Sequence, residues 1–209
     1  MLTVHHLESS RSQRVLWLLE ELGVPYTLGR YARDRKTLLA PPSLRAIHPL
    51  GKSPVVTDEG RTLAESGAIV EYLVERYGKG SLIPAPGTEE RLRYTYWLHY
   101  AEGSAMLPLL LNMYVLRLGE AGQPLHARIE SELSNHLGFV ESSLTGREWL
   151  LDMGLSAADI QLSFVGEVTG AFGRLTQYPA MQAWVTRFQA RPAYKTALEK
   201  GGAYSFVQG

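Results

Sequence analysis

No cysteine occurs among the 209 residues, and that absence removes disulfides, thiolate metal ligands and a protein thiol nucleophile together. Any thiol chemistry would have to use a thiol carried in by a ligand. An excess of either charge is also lacking: Lys plus Arg and Asp plus Glu number 21 each. The electrostatic attraction that dominates nonspecific nucleic-acid binding is therefore missing, and no nucleic-acid partner is expected. No apolar run is long enough to span a bilayer, and the opening MLTVHH has neither the basic nor the apolar region of a secretory leader. The expectation is a cytoplasmic protein with no membrane partner. Internal repeats and low-complexity segments are absent too.

What is present is the composition of an ordinary globular chain, 45% hydrophobic and 20% charged, long enough for one large domain or two small ones. Residues 2–6 alternate as a short strand. Val15, Leu18, Leu19 and Leu22 then follow the spacing of a buried helix face, closed by Gly23 where a left-handed cap is favoured. PYTLGRY reads as a second strand, and 35–48 as a short, irregular helical connection. SPVVTDEGRTLAESG holds two strands around a turn at Glu59 and Gly60, and a helix with Ile69, Tyr72 and Leu73 on one face runs to Tyr77. The order β-α-β-α-β-β-α, with a right-handed crossover and an antiparallel hairpin on one sheet, predicts a thioredoxin-like α/β domain over 1–78. The Gly- and Pro-rich stretch 79–87 reads as a linker. Residues 88–209 show only helical periodicity, in four to six segments, which predicts an all-α second domain.

Four stretches carry candidate chemistry, and each has a plain structural alternative. Ser9 and Ser10 precede the first helix, where a hydroxyl either caps the helix or hydrogen-bonds a ligand thiolate beside the positive end of the helix dipole. Ser53-Pro54 opens a strand: a trans bond would make a turn, whereas a cis bond would offer the Ser53 N–H and C=O to an extended peptide ligand. Lys52 either is solvated or reaches a ligand carboxylate. Glu65 and Ser66 start a helix, either as a cap or as a receptor for an amino-acid head group, Glu65 taking the ammonium and Ser66 the carboxylate. Ser156 and Asp159 have the spacing of a capping box, which is structural.

Together, SSRSQRVLWLLEELGVPY, HPLGKSPVV, LAESGAIVEYL, LSAADIQLSF and YPAMQAWVTRFQARPAY resemble the cytosolic glutathione transferase family across essentially the whole chain. The runs SRSQRVLWLLEEL, APPSLRAIHPLGKSP and YAEGSAMLPLL look most like its Gtt-type branch in yeast and bacteria. The resemblance implies a homodimer of detoxifying enzymes with no cofactor and no metal, glutathione serving as co-substrate and a small hydrophobic electrophile as second substrate. It implies that Ser53 pairs its backbone with the cysteinyl unit before a cis Pro54, that Glu65 and Ser66 hold the γ-glutamyl head, and that His48 and Lys52 lie toward the glycyl carboxylate. Family members keep a Tyr, Ser or Cys near the end of the first strand. With no Cys, and no Tyr before residue 26, Ser10 falls at the serine position, with Ser9 and Arg11 behind it. Tyr96, Tyr100, Met106, Met113 and Tyr114 lie on the helices that would face the second substrate, and Tyr100 and Met113 are the named candidates. Two other activities fit the same residues: a glutathione-dependent peroxidase, or a non-catalytic glutathione-binding and regulatory module.

Overall fold

The computed structural model describes residues 1–207. Its first part is a four-stranded sheet in the order β2-β1-β3-β4, built from β1 (Thr3–Leu7), β2 (Thr27–Tyr31), β3 (Val55–Asp58) and β4 (Arg61–Ala64). β1 pairs parallel to β2 and antiparallel to β3, and β3 turns through Glu59 and Gly60 into β4. The helices α1 (Ser12–Leu22), α2 (Pro42–Ile47) and α3 (Ser66–Tyr77) occupy the predicted connections, so the thioredoxin-like arrangement stands as the sequence pattern predicts it.

Period-2 alternation explains the register. Val4 and Val56 are directly opposed across β1 and β3, and both are fully buried against the helical layer. In α1, Val15, Leu16, Leu18 and Leu19 are inaccessible to solvent. Gly23 ends the helix at φ 62°, the left-handed conformation that glycine adopts without a Cβ clash. In α3 the buried face is Ile69, Val70, Leu73 and Val74. Tyr72 lies at its margin, its hydroxyl donating to Asp58 at 2.9 Å.

After a stretch without helix or strand, the chain continues as α4 (Glu89–Tyr100), a π-helical turn (Ala101–Ala105), α5 (Met106–Val115), α6 (Gln123–Leu144), α7 (Ala157–Ala171), α8 (Pro179–Gln189) and α9 (Pro192–Gly201). Helix α7 is buried on every side from Ala157 to Gly170, and its polar members Asp159, Gln161 and Glu167 are accommodated there because each is hydrogen-bonded. Its start is fixed by Asp159, whose Oδ2 accepts the Ser156 N–H and hydroxyl at 3.0 and 2.9 Å. Asp159 Oδ1 accepts the Leu150 N–H and the Trp184 indole. The capping box is thus also a tie between α7 and α8. Trp17 of α1 packs on Phe188 of α8 and Tyr194 of α9 at ring separations of 5.2 and 5.5 Å, which fixes the sheet-bearing part against the helices.

Candidate functional site

Helix α1 begins at Ser12, and the preceding Arg11 is already helical, with φ −59° and no side-chain cap. Ser10 does the capping from one position further back: its Oγ accepts the Ser12 N–H at 3.2 Å, the local turn that hydroxyl side chains make with the N–H two residues on. Ser10 Oγ also lies 2.8 Å from Ser12 Oγ, which in turn lies 2.8 Å from His6 Nδ1. All three side chains are buried. Burial and the nearby Arg30 cation hold His6 down at about 4, against a Gly201 backbone hydrogen bond that favours the charged ring. The imidazole is therefore neutral at physiological pH.

Ser9 and Arg11, the residues expected behind Ser10, each have a partner of their own. Ser9 sits at φ 45°, so its side chain leaves the helix end and meets the C-terminal segment instead: its Oγ accepts the Ser205 N–H at 3.0 Å and lies 2.9 Å from Ser205 Oγ. Arg11 donates to both carboxylate oxygens of Glu102 at 2.9 and 2.8 Å. Glu102 also pairs with Arg14 at 2.9 Å, and both guanidinium groups lie over the Phe164 ring. Arg33 braces the loop before α1 by donating to the Glu8 and Ser9 carbonyls at 2.9 and 3.2 Å.

The Ser53-Pro54 bond is cis. The Ser53 hydroxyl donates to the His5 carbonyl at 2.9 Å and accepts the Leu7 N–H at 3.2 Å, which pins its side chain to β1 while its backbone precedes the β3 ladder. Glu65 is exposed, stands at φ 70° and makes no side-chain cap, so the cap alternative for it fails. Ser66, at the first position of α3, is buried, and its oxygen accepts Gln161 Nε2 at 3.2 Å and Arg14 Nη1 at 3.4 Å. Both its acceptor positions are filled, which leaves its proton free to be donated. His48 ends α2, half-buried and with Nδ1 unpartnered, and Lys52 is exposed beyond the turn at Gly51.

On the helical side, Met113 is half-buried on α5. Tyr100 has its hydroxyl 2.9 Å from His136 Nδ1, and its ring packs among Tyr96, Trp97 and Phe139. These contacts join α4 to α6. The ring beneath Arg11 and Arg14 is Phe164, which meets Phe206 edge to face at 5.1 Å. The tail that brings Phe206 there is anchored by Tyr204, whose hydroxyl donates to buried Glu167.

The sequence reading missed Arg14, Glu102, Gln161, His6, Ser12 and this C-terminal tail. For Arg14 a signal existed: a charged residue inside an otherwise apolar helix stretch is buried only when paired. Its partner comes from the π-helical turn, an irregularity frequent at functional sites.

Comparison with known proteins accords with this arrangement. Residues 8–76 match the family described as Glutathione S-transferase, N-terminal domain, and 97–192 match Glutathione S-transferase, C-terminal domain. Glutathione S-transferase 3 of Schizosaccharomyces pombe is 33% identical, the match covering 96% of this chain and 88% of that protein. Glutathione S-transferase 1 of Saccharomyces cerevisiae is 30% identical over 97% of this chain and 96% of its own. Among solved structures, a glutathione S-transferase from Actinobacillus pleuropneumoniae superposes with a TM-score of 0.88 at 33% identity, covering 100% of this chain and 97% of that one.

Proposed function

Since the chain belongs to the glutathione S-transferase family, we propose that it binds reduced glutathione along the β1–β3–α3 edge and activates the thiol at Ser10 for attack on a small hydrophobic electrophile. The γ-glutamyl head meets Glu65 through its ammonium, and its carboxylate meets the Ser66 hydroxyl and the N-terminal end of α3. The cysteinyl unit pairs with the Ser53 backbone in the manner of an added strand, and the glycyl carboxylate lies toward His48 and Lys52. A free thiol of pKa about 8.5 is mostly protonated at neutral pH, so the site's task is to favour the anion. A hydrogen bond from Ser10 and the positive end of α1 do so electrostatically.

The observation that carries this reading is the buried Ser10 hydroxyl at the head of α1, with Glu65 held at φ 70° and uncommitted at the head of α3. Phe164 and Phe206 give the second substrate an apolar wall, as small-molecule sites commonly have. The enzyme works as a cytoplasmic homodimer. In support, Leu92, Tyr96 and Phe139 stand 65%, 48% and 41% exposed on α4 and α6, an apolar face that a second copy would cover.

The test is a glutathione titration followed at the ultraviolet thiolate band, with Glu65→Ala as the blank. A saturable band whose pH midpoint rises in Ser10→Ala supports the reading. Binding without a band would leave a glutathione-holding module.

A further inference from the structure

We propose that His6 and Ser12 are positioning residues for the thiol step: the buried chain His6–Ser12–Ser10 sets which way the one Ser10 proton points, and it reverses when the bound thiol ionises. This rests on Ser10 being the sulfur-facing hydroxyl. The two 2.8 Å gaps, Ser10 Oγ to Ser12 Oγ and Ser12 Oγ to His6 Nδ1, are hydrogen-bond separations that each need a proton. Each hydroxyl has a single proton to give. The far side of the His6 ring meets the Gly201 backbone, where a carbonyl can only accept. In a neutral ring, a proton on Nε2 leaves Nδ1 a bare lone pair. Ser12 then donates to Nδ1 at 2.8 Å in preference to the Leu7 carbonyl at 3.4 Å, and Ser10 donates to Ser12. The Ser10 oxygen already accepts the Ser12 N–H at 3.2 Å, so what it turns outward is an acceptor. That suits an S–H group and not a thiolate.

A thiolate at Ser10 demands the opposite sense: Nδ1–H to Ser12, Ser12 to Ser10, Ser10 to sulfur. Hydrogen bonds to an ionised acceptor are roughly twice as strong as neutral ones, so the anion pulls the chain round. In the reversal the thiol proton passes to Ser10, the Ser10 proton to Ser12 and the Ser12 proton to Nδ1, while the Nε2 proton leaves to solvent. One S–H bond breaks, one proton is released and the ring stays neutral. His6 redirects a proton and does not store one, because burial and Arg30 hold it at about 4, far below a free thiol.

Gln13 gives the reversed ring a partner. Both amide atoms of Gln13 are buried without hydrogen bonds, an arrangement native interiors avoid unless the group has another use. A Cβ placed on Gly201 would sit 2.9 Å from Gln13 Oε1 and 3.3 Å from His6 Nε2, so amide and ring edge border one spot. The Gln13 atom bordering this spot is Oε1, and a half-turn of the unbonded amide brings its NH2 there as the donor that Nε2 needs once its own proton has gone.

The experiment is a pH titration of the glutathione complex of the full chain, following the His6 ring nitrogens by NMR and the thiolate by absorbance. The expected result is a ring that stays neutral while its proton shifts from Nε2 to Nδ1 at the thiolate midpoint. In Ser12→Ala the thiolate band persists and the tautomer change is lost; Ser12→Thr, which keeps the hydroxyl, restores it. A wild-type His6 that holds its Nε2 proton through the midpoint overturns the relay, as does a tautomer change that survives in Ser12→Ala. Failure of the underlying Ser10 reading is distinguishable, since Ser10→Ala would then leave the thiolate midpoint in place.

Discussion

The backbone N–H of Ser205 donates to Ser9 Oγ over 3.0 Å, joining residues 196 positions apart. The residue next to Ser10 thereby fastens the C-terminal segment beside the head of α1, and Tyr204 on Glu167 and Phe206 on Phe164 fasten it further.

Each such hydrogen bond contributes about 1 kcal/mol net, so Ser9→Ala should loosen the tail without unfolding the protein. The expected outcome is faster amide exchange over residues 202–207, with the KM for an aromatic electrophile up about fivefold and glutathione affinity unchanged. Faster exchange with an unaltered KM would place the second substrate away from the tail.

Glu102 is the counterion of Arg14, whose side chain is 1% exposed. Removing one partner of a buried pair costs about 3–5 kcal/mol. Glu102 itself is 30% exposed and partly screened, so Glu102→Gln should cost about 2–3 kcal/mol at neutral pH. Burial raises the Glu102 carboxyl, but Arg14 and Arg11 outweigh it and the net shift is downward. A lowered folded-state value adds stability above the ordinary 4.5 and loses it as pH falls through the folded one. Urea midpoints of wild type and variant should therefore converge below pH about 4. A gap constant with pH would show that Glu102 acts by packing and not by charge.

Glu167 behaves in the opposite sense. Burial pushes it up to about 7, against the Tyr194 and Tyr204 hydroxyls and Arg14, which favour its ionised form. A raised carboxyl is fully stabilising below its ordinary 4.5 and loses that contribution as pH rises through the folded value. At about 1.4 kcal/mol per pH unit the loss totals about 3 kcal/mol. Glu167→Gln keeps an acceptor oxygen and does not titrate, so its stability relative to wild type should improve by about that amount between pH 5 and 8 in denaturant melts. No relative change would mean the carboxylate is ionised throughout.

Legibility in the sequence followed the range of the interaction. The α1 face and its Gly23 stop, the Glu59–Gly60 hairpin and the Ser156–Asp159 box are encoded within single elements, so periodicity and turn chemistry revealed them. Ser9 and Ser10 are ranked through the family resemblance and not by spacing, because both precede the same helix and the difference between them lies in the left-handed backbone of Ser9. Arg11 and Arg14 meet Glu102 only after the chain has folded back. Tyr100 has the right spacing for α4, but spacing alone does not say which neighbour its face meets. The yeast-like branch was readable because motif order survives where side-chain contacts cannot be inferred.

Glu65 separates charge from backbone strain. It holds φ 70° without a cap, a conformation that costs a non-glycine residue about 1–3 kcal/mol and persists where function requires it. Alanine keeps that strain, so Glu65→Ala should leave the melting temperature nearly unchanged. It should nevertheless weaken glutathione by about ten- to hundredfold, the loss of a charged hydrogen bond worth about 1.5–3 kcal/mol. Glycine relieves the strain, so Glu65→Gly should melt higher than Glu65→Ala and bind equally poorly. Calorimetry of both variants reads both quantities. If Glu65→Ala binds as tightly as wild type, the ligand ammonium is held elsewhere, and the strained conformation at Glu65 serves only to aim the first N–H groups of α3.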